Sequence, residues 1–228
     1  MHWPQPPEWR TGETAVPPGL DGWVVAVDGH LLVLNKPSGL LSVPGRGPEN
    51  ADCLSARVQA QWPDALVVHR LDMATSGLMV MARGPDAQRT LSEAFAKRLT
   101  HKRYEAVVAG HVDDTAHPTD ANGWHTIDLP LVVDWPNRPK RTVNFEAGQR
   151  ALTRWRCVGR DVERGWSRVE LEPVTGRTHQ LQPLNQGTMH LPYATSLRMG
   201  RLGYQSDAQS SLSVSYNGLD GYGASLQD

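Results

Sequence analysis

Short runs of hydrophobic residues, separated by turn-forming residues, recur along most of the chain. The run at 23–34, WVVAVDGHLLVL, predicts two strands joined at Asp28-Gly29, because this dipeptide tolerates the positive φ of a tight hairpin turn. The Gly and Pro residues of the next segment, NKPSGLLSVPGRGPEN, disfavour regular structure and predict a loop. The pattern therefore predicts an antiparallel hairpin followed by an irregular connection.

Two segments have the four-residue hydrophobic spacing that is typical of amphipathic helices. Leu54 and Val58 show it in ADCLSARVQAQW, which predicts a short helix. The spacing recurs from Leu91 to Leu99 in GPDAQRTLSEAFAKRLT, where Pro85 suits the first helical position. We therefore expect two helices in the first half of the chain.

The remaining hydrophobic runs predict further strands. ALVV and LMVMA flank a loop, with Ser76-Gly77 predicted as a turn, and KRYEAVVAG and SRVELEPVTGR also have strand character. LPLVVDWPNRPKRTVNFE places a basic, Pro-rich loop between two strand-forming pieces. Because strands outnumber helices and the two do not alternate regularly, we predict an α+β fold with a mixed, mainly antiparallel sheet and flanking helices.

Composition limits the classes of function. The 228 residues carry a formal net charge of −1, with a pI near 6.8, so nucleic acid could be bound only by a local basic face. The two cysteines, Cys53 and Cys157, lie far apart without neighbouring ligands, which favours neither a zinc site nor disulfides and suits the cytoplasm. Residues 1–22 predict a loose Pro-rich leader without signal-peptide character, and no hydrophobic run is long enough to span a membrane.

One loop carries the candidate for chemistry. In HRLDMATSG, Asp72 lies between Arg70 and a Thr-Ser-Gly segment. Such an aspartate most often accepts hydrogen bonds from nearby backbone N–H groups, but a carboxylate flanked by cations can also act as a nucleophile or general base. His69 and His179 lack a third ligand at suitable spacing, so we expect no metal site there.

Four motifs follow one another along the chain: LNKPSGLLSVPGR at 34–46, HRLDMATSG at 69–77, KRYEAVVAG at 102–110 and LEPVTGRTHQL at 171–181. In this order they resemble the RluA family of RNA pseudouridine synthases. A fifth stretch, LPLVVDWPNRPKRTV, is similar to the dual-specificity branch of that family, which modifies a ribosomal RNA stem-loop and a tRNA anticodon arm. The resemblance covers 24–181 and implies the pseudouridine synthase fold in a catalytic domain at 23–181, without an S4 domain.

The resemblance implies an isomerase that converts uridine in RNA to its C5-glycoside without metal, redox carrier or nucleotide cofactor. Asp72 matches the catalytic aspartate, as a nucleophile toward the sugar or base or as the base in an elimination route. Tyr104 matches the tyrosine that stacks on the target base and assists proton removal at C5, although the residue pattern equally fits an ordinary strand aromatic. Arg70 matches an arginine that fills the place of the extruded nucleotide, although an ion pair is the simpler interpretation.

An RNA substrate requires basic surfaces, and two basic clusters flank the motifs. Each cluster could instead be a solvated face of the protein. We expect Lys102 and Arg103, beside Tyr104, and Arg138 and Lys140, in the Pro-rich loop, to bind RNA. No membrane or obligate protein partner is evident, and we expect a monomer. The full clusters are Lys97, Arg98, His101, Lys102 and Arg103, and Arg138, Lys140 and Arg141.

The resemblance ends after Leu181, where the composition also changes. The last 47 residues hold no Lys and no Glu, five charged residues and seven of the thirteen Ser. Gln182 stands where the family has the arginine that partners the catalytic carboxylate, and an amide supplies no charge. We therefore expect 182–228 to be a disordered or frameshifted tail, and we expect low stability and low isomerase activity.

Two other functions remain open from the residues. The chain could be a non-catalytic RNA-binding protein derived from such an enzyme, which the neutral Gln182 would favour. An N-glycosidase that releases uracil without rejoining it would use the same Asp72. The residues do not identify the target uridine or RNA.

Overall fold

A computed structural model gives the fold of the chain. It describes residues 19, 20, 22–112, 115, 118–138, 141–163, 165–177 and 179–181, and the backbone of three later strands. The leader predicted at 1–22 lies almost entirely outside these residues, and so does Gln182. The chain divides into two compact units: unit 1 comprises Met1–His101 and Met199–Asp228, and unit 2 comprises Lys102–Arg198.

Unit 1 is built on an antiparallel sheet in the order β1-β2-β4, with β3 also paired to β4. The hydrophobic side chains of β2 and β4 are almost fully buried, since both strands lie in the interior of the unit. Helices α1 and α2 pack near this sheet, α1 against β3 and α2 against β4. The elements are β1 Val24–Val27, β2 Leu31–Lys36, a 3-10 helix Pro48–Asn50, α1 Leu54–Gln59, β3 Ala65–Val67, β4 Thr75–Arg83 and α2 Pro85–Ala96.

The structure confirms the predicted hairpin and both helices. The carboxylate of Asp28 accepts hydrogen bonds from the backbone N–H groups of His30 (2.6 Å) and Leu31 (2.8 Å), which closes the turn between β1 and β2. Pro85 is at the start of α2, as the sequence predicts. Leu99, however, lies beyond the end of α2, because Arg98 adopts φ 59° and reverses the chain.

The predicted turn at Ser76-Gly77 is wrong. Both residues belong to β4, where Gly77 pairs with Lys36, and the turn lies earlier, at Met73 and Ala74. Small polar residues favour turns locally, but here the pairing with β2 places them in the sheet. The prediction that the HRLDMATSG motif lies between two strands is confirmed for residues 69–74, which belong to the connection from β3 to β4, and is wrong for Thr75, Ser76 and Gly77, which begin β4.

Unit 2 is a second antiparallel sheet, in the order β5-β9-β8-β6-β7. One face carries a hydrophobic core in which Trp155 and Leu171 are 3% exposed and Ala106 and Val169 are 1% exposed. Cross-strand pairs place Tyr104 beside Leu171, and Leu171 beside Trp155, along one row of this face. The strands are β5 Thr100–Ala109, β6 His125–Val133, β7 Arg141–Val143, β8 Gln149–Asp161 and β9 Trp166–Pro173.

Three more strands lie in the segment after Leu181. They are β10 Ala194–Gln205, β11 Ser211–Asn217 and β12 Gly221–Gln227, and β11 pairs antiparallel with both β10 and β12. It stays a prediction that 182–228 is a disordered or frameshifted tail. The domain boundaries drawn from the sequence also stay predictions. The strand content of the described residues confirms the α+β class. Among those residues, no helix has the length and hydrophobicity to cross a membrane.

Candidate active site

The loop at 68–74 in unit 1 presents Asp72 on a fixed backbone. Asp72 is half-buried, and its carbonyl accepts a hydrogen bond from the N–H of Thr75 (3.0 Å), which starts β4. Leu71, one residue before, is buried, whereas Met73, one residue after, is 52% exposed. The aspartate therefore lies at the point where the chain leaves the core, with its neighbours anchored on either side.

A buried lysine from the preceding motif ties this loop to the end of β2. Lys36 is 0% exposed, and its ammonium donates hydrogen bonds to the carbonyls of Pro37 (2.9 Å), Leu40 (2.6 Å) and Met73 (3.1 Å). Burial lowers the pKa of Lys36 to about 8, and the nearby negative charge of Asp72 opposes that change by raising the pKa. Lys36 thus supplies a positive charge near Asp72 and a donor to the residue beside it.

Two serines and a glycine of the same motif complete the attachment of the loop. Ser42 bonds to Leu71 in both directions: its hydroxyl donates to the Leu71 carbonyl (2.6 Å) and accepts from the Leu71 N–H (3.0 Å). The hydroxyl of Ser38 donates to the carbonyl of Ala74 (2.8 Å), and the N–H of Gly39 donates to the carbonyl of Met73 (2.8 Å). NKPSGLLS therefore acts as a brace for the loop that carries Asp72.

His69 anchors the first part of the loop. Its Nε2 accepts a hydrogen bond from the backbone N–H of Val80 (2.9 Å), and its ring stacks on Phe95 of α2 at 4.5 Å between centroids. These contacts give His69 a structural role in place of the metal ligation considered from the sequence. Arg70, by contrast, is exposed, so its guanidinium can reach a ligand outside the protein.

In unit 2, β5 places two of the predicted residues on one face and the third on the other. Tyr104 packs against the hydrophobic core and is half-buried. Side chains alternate along a strand, so Lys102 lies on the same face as Tyr104 and Arg103 lies on the opposite face. The Lys102 ammonium lies close to the loop of the last motif, since a Cβ on Gly176 would be 3.6 Å from Nζ.

Arg103 belongs to a cation–π cluster around Trp124. Its guanidinium carbon is 5.2 Å from the Trp124 ring centroid, and those of Arg154 and Arg156 are at 5.1 and 4.7 Å. Trp124 is only 5% exposed, so the cluster covers an indole within the unit. Arg103 therefore has a packing role that the sequence did not indicate.

The TGRTHQL segment forms a folded turn up to Leu181. The side-chain amide of Gln180, 5% exposed, accepts hydrogen bonds from the Thr175 hydroxyl (2.8 Å) and the Arg177 N–H (2.9 Å). It donates to the Leu152 carbonyl (3.0 Å) and the Thr153 hydroxyl (2.9 Å) on β8. One amide thus satisfies two donors and two acceptors and fixes the turn against the sheet.

The Pro-rich loop between β6 and β7 carries the second basic cluster. Arg138 is exposed, and its guanidinium carbon lies 4.0 Å from the ring centroid of Trp135, which is 65% exposed. Arg141 begins β7 and is half-buried. Lys140, the other residue predicted to bind RNA here, lies outside the described residues.

The sequence did not indicate the side chains that fix the two loops, Lys36 and Ser42 in unit 1 and Gln180 in unit 2. Each of them bonds to at least one backbone carbonyl that is distant in sequence, and such a contact leaves no local pattern. Lys36 bonds a carbonyl 37 residues away and Ser42 one 29 residues away. The available signal was a lysine at the end of a mainly hydrophobic strand, since a lysine that is buried there needs polar partners.

Comparisons with known proteins identify the family. A model of the RNA pseudouridylate synthase family matches residues 30–185. The dual-specificity RNA pseudouridine synthase RluA of Yersinia pestis is 50% identical over 159 residues, covering 70% of this chain and 73% of that protein. The protein of the same name from Escherichia coli K12 is 46% identical over 167 residues, covering 72% of each chain.

The fold and the tail give two further similarities. The structure of human RNA pseudouridylate synthase domain containing 4 matches with a TM-score of 0.65 at 19% identity, covering 87% of this chain and 89% of that one. A glutamate-cysteine ligase model matches residues 168–228, about a quarter of the chain, and overlaps the end of the synthase match. The synthase match covers most of the chain and contains all four motifs, so this chain belongs to the RNA pseudouridylate synthase family.

Proposed function

We propose that this chain isomerises uridine to pseudouridine in stem-loops of ribosomal RNA, tRNA or both, with Asp72 as the catalytic carboxylate. The observation that carries the proposal is the brace around Asp72: Lys36, Ser38 and Ser42 hold the backbone on both sides of it. Catalysis by a side chain requires that its backbone be fixed relative to the substrate. The similarity to dual-specificity synthases supports the choice of RNA.

The reaction exchanges one glycosidic bond for another. The N1–C1′ bond breaks, the base turns within the site, and C5 bonds to C1′; N1 gains a proton and C5 loses one. Asp72 acts either as a nucleophile toward the sugar or base or as the base of an elimination route. Tyr104, held against the core of unit 2, is proposed to stack on the base and to assist removal of the C5 proton.

The uridine must leave the stem-loop before a side chain can reach C1′ and C5. Extrusion of a nucleotide costs a few kcal/mol, least where the base is already unpaired. Exposed Arg70 is proposed to occupy the vacated place, because a guanidinium can stack on bases and pair with phosphate. The RNA backbone is proposed to bind to Lys102, Arg138 and Lys140. Arg103 is proposed to bind it as well, while its guanidinium stays packed on Trp124.

Tritium release tests the chemistry directly. Uridine tritiated at C5 loses its label to water when C5 bonds to C1′, so a labelled stem-loop incubated with the purified chain reports each turnover. Asp72→Asn keeps the shape of the side chain but removes its charge, and we expect release to stop while RNA binding persists. Asp52→Asn is the matched control, because Asp52 is an exposed carboxylate of unit 1 paired with Arg57 at 2.6 Å. Release by Asp72→Asn at the parent rate would refute the assignment.

Gln182 supports a second candidate, a non-catalytic RNA-binding protein. The family's arginine is replaced by an amide, which removes a positive partner of the carboxylate. For an isomerase slowed by this change, we expect Gln182→Arg to speed tritium release about tenfold or more. If the parent, Asp72→Asn and Gln182→Arg all bind the stem-loop equally and none releases tritium, the non-catalytic function is correct. Free uracil in the product would instead identify an N-glycosidase.

The setting of the protein is also a proposal. We propose a cytoplasmic location, because the two cysteines of the sequence do not suggest disulfide bonds. We also propose a monomer without an obligate protein partner, because RNA is the partner that the family requires. Sedimentation of the purified chain at micromolar concentration tests the monomer, and a dimer would contradict it.

A further inference from the structure

Trp135 is a large hydrophobic side chain held at the surface of unit 2. It lies in the turn that follows β6, and it is 65% exposed. The backbone N–H of Asn137 donates to the carbonyl of Asp134 (3.2 Å), and the side-chain amide of Asn137 donates to the Asp134 carboxylate (3.0 Å). These two hydrogen bonds close the turn, and the ring of Pro136 fixes the φ angle of that residue. The turn therefore presents an indole to solvent with little remaining freedom of the backbone.

Arg138 approaches the exposed ring from within the same loop. Its guanidinium carbon is 4.0 Å from the Trp135 centroid, closer than any of the three arginines around buried Trp124. At Trp124 the pairing covers an indole that is 5% exposed, which is a structural role. At Trp135 the same pairing leaves most of the indole in water, which has no evident benefit for folding.

We propose that Trp135 is a stacking platform for an unpaired base of the substrate stem-loop, with Arg138 beside it to pair with a phosphate. The inference rests on the proposed function, since it names a contact that the RNA substrate would make. Unpaired bases in RNA loops are commonly recognised by stacking on aromatic rings and guanidinium planes. A ring already oriented by a cation binds a base with less loss of side-chain freedom than a mobile one.

The charge of the surface favours RNA over a protein partner. Arg138 lies over the indole, with 4.0 Å between its guanidinium carbon and the ring centroid, and Arg141, three residues further along the chain, begins β7. A polyanion gains from each cation that meets a phosphate, whereas a protein partner would need acidic groups at matching positions. The overall charge of −1 makes such a local basic face the means of binding nucleic acid.

Three variants of the full chain test the platform by RNA binding. The probes are a fluorescein-labelled RNA stem-loop with uridines in the loop and a blunt duplex with the same stem sequence. We expect Trp135→Ala to bind the stem-loop roughly 5- to 150-fold more weakly, and Trp135→Phe, which keeps a ring, to retain most of the affinity. Phe145→Ala is the matched control: Phe145 is 80% exposed in the turn after β7, and its loss should leave binding unchanged.

The salt dependence separates stacking from phosphate contact. Trp135→Ala removes no cation, so the slope of log affinity against log salt should equal that of the parent, whereas Arg138→Ala should reduce the slope by about one. Duplex binding should be equal for the parent and Trp135→Ala, because a paired stem offers no splayed base. Fluorotryptophan NMR gives a direct readout: the resonance missing from Trp135→Phe should shift with the stem-loop and not with the duplex.

Each outcome distinguishes the platform from the proposed function. If the parent chain binds no stem-loop and releases no tritium, the proposed function fails and the platform fails with it. If the parent binds and Trp135→Ala binds equally tightly, the platform alone is refuted. If RNA binding is unchanged but Trp135→Ala alters the oligomeric state of the RNA-free protein, the exposed indole serves self-association instead.

Discussion

Lys36 gives a prediction in which stability and activity change in opposite directions with pH. The ammonium is fully buried and donates to three carbonyls, and burial lowers its pKa from 10.5 to about 8. A displacement of that size corresponds to ~3 kcal/mol in favour of the neutral amine, because one pKa unit is worth about 1.4 kcal/mol. The folded protein therefore releases the Lys36 proton at a lower pH than the unfolded chain does.

The sign of the stability change follows from the protons bound by each state. Between pH 8 and 10.5 the folded chain has lost the Lys36 proton and the unfolded chain has kept it. The unfolded state then binds more protons, so the free energy of unfolding rises with pH across this window, by up to ~3 kcal/mol. Below pH 8 both states bind the proton, and this contribution becomes constant.

Activity should fall in the same window. A neutral amine has two N–H donors where the ammonium has three, so one carbonyl of Pro37, Leu40 or Met73 loses a hydrogen bond. Asp72 also loses the nearby positive charge. A lost hydrogen bond is worth about 1 kcal/mol, so we expect tritium release to fall roughly fivefold as pH rises through 8.

Lys36→Met isolates the effect, since methionine fills a similar volume without a charge. Urea unfolding of the parent and of Lys36→Met at a series of pH values gives the difference between their free energies of unfolding, parent minus variant. The contributions of the other titrating groups cancel in this difference. We expect that difference to rise from pH 8 to 10.5, and we expect Lys36→Met to be slow at every pH, without the alkaline fall. A flat difference, or an unchanged rate profile in Lys36→Met, would show that Lys36 does not carry a buried charge that positions Asp72.

Four further variants test the hydrogen bonds that hold the two loops and the roles of two cationic residues of β5. Ser42→Ala leaves the buried Leu71 N–H without its acceptor, so we expect ~1–3 kcal/mol less stability by urea unfolding and slower tritium release, whereas unchanged stability would contradict the brace. Gln180→Leu removes all four hydrogen bonds of the amide, and we expect a loss of ~2–4 kcal/mol; a smaller loss than in Ser42→Ala would show that the turn is held otherwise. Lys102→Ala should reduce the slope of log affinity for RNA against log salt by about one. Arg103→Ala should lower the free energy of unfolding more than the affinity for RNA, because Arg103 packs on Trp124. The opposite pattern would show that Arg103 binds RNA and Lys102 has the structural role.

Local pattern was sufficient to predict most of the elements in the described residues. The hairpin between β1 and β2 follows from its flanking hydrophobic runs and the turn-forming Asp28, but the Asp28 carboxylate closes the turn and Gly29 does not adopt the positive φ that the dipeptide predicts. Helix α2 follows from Pro85 and a four-residue spacing. Where the prediction failed, pairing outweighed local preference: Ser76 and Gly77 are turn-forming residues, but the register with β2 draws them into β4. Such pairing joins residues about 40 positions apart, which periodicity does not register.

The candidate site was predicted as a set of motifs but not as an arrangement. Asp72 was found by resemblance, and the loop around it by strand patterns, yet its brace consists of side chains bonded to distant carbonyls. Strand alternation alone would have separated Arg103 from Lys102 and Tyr104, because adjacent residues of a strand face opposite sides. The packing of Arg103 on Trp124 needed the structure, since the two are distant in sequence.

The turn before Gln182 has several hydrogen bonds among the described residues. The amide of Gln180 bonds there to Thr175, to the Arg177 N–H and to Leu152 and Thr153 of β8, so these four bonds involve only residues that precede position 182. A substitution at 182 therefore changes the charge of the segment without removing either partner of these four hydrogen bonds. For that reason Gln182→Arg tests whether the neutral residue at 182, where the resemblance implies an arginine, or the sequence after it limits the proposed chemistry: a faster variant with unchanged stability would point to the charge at 182.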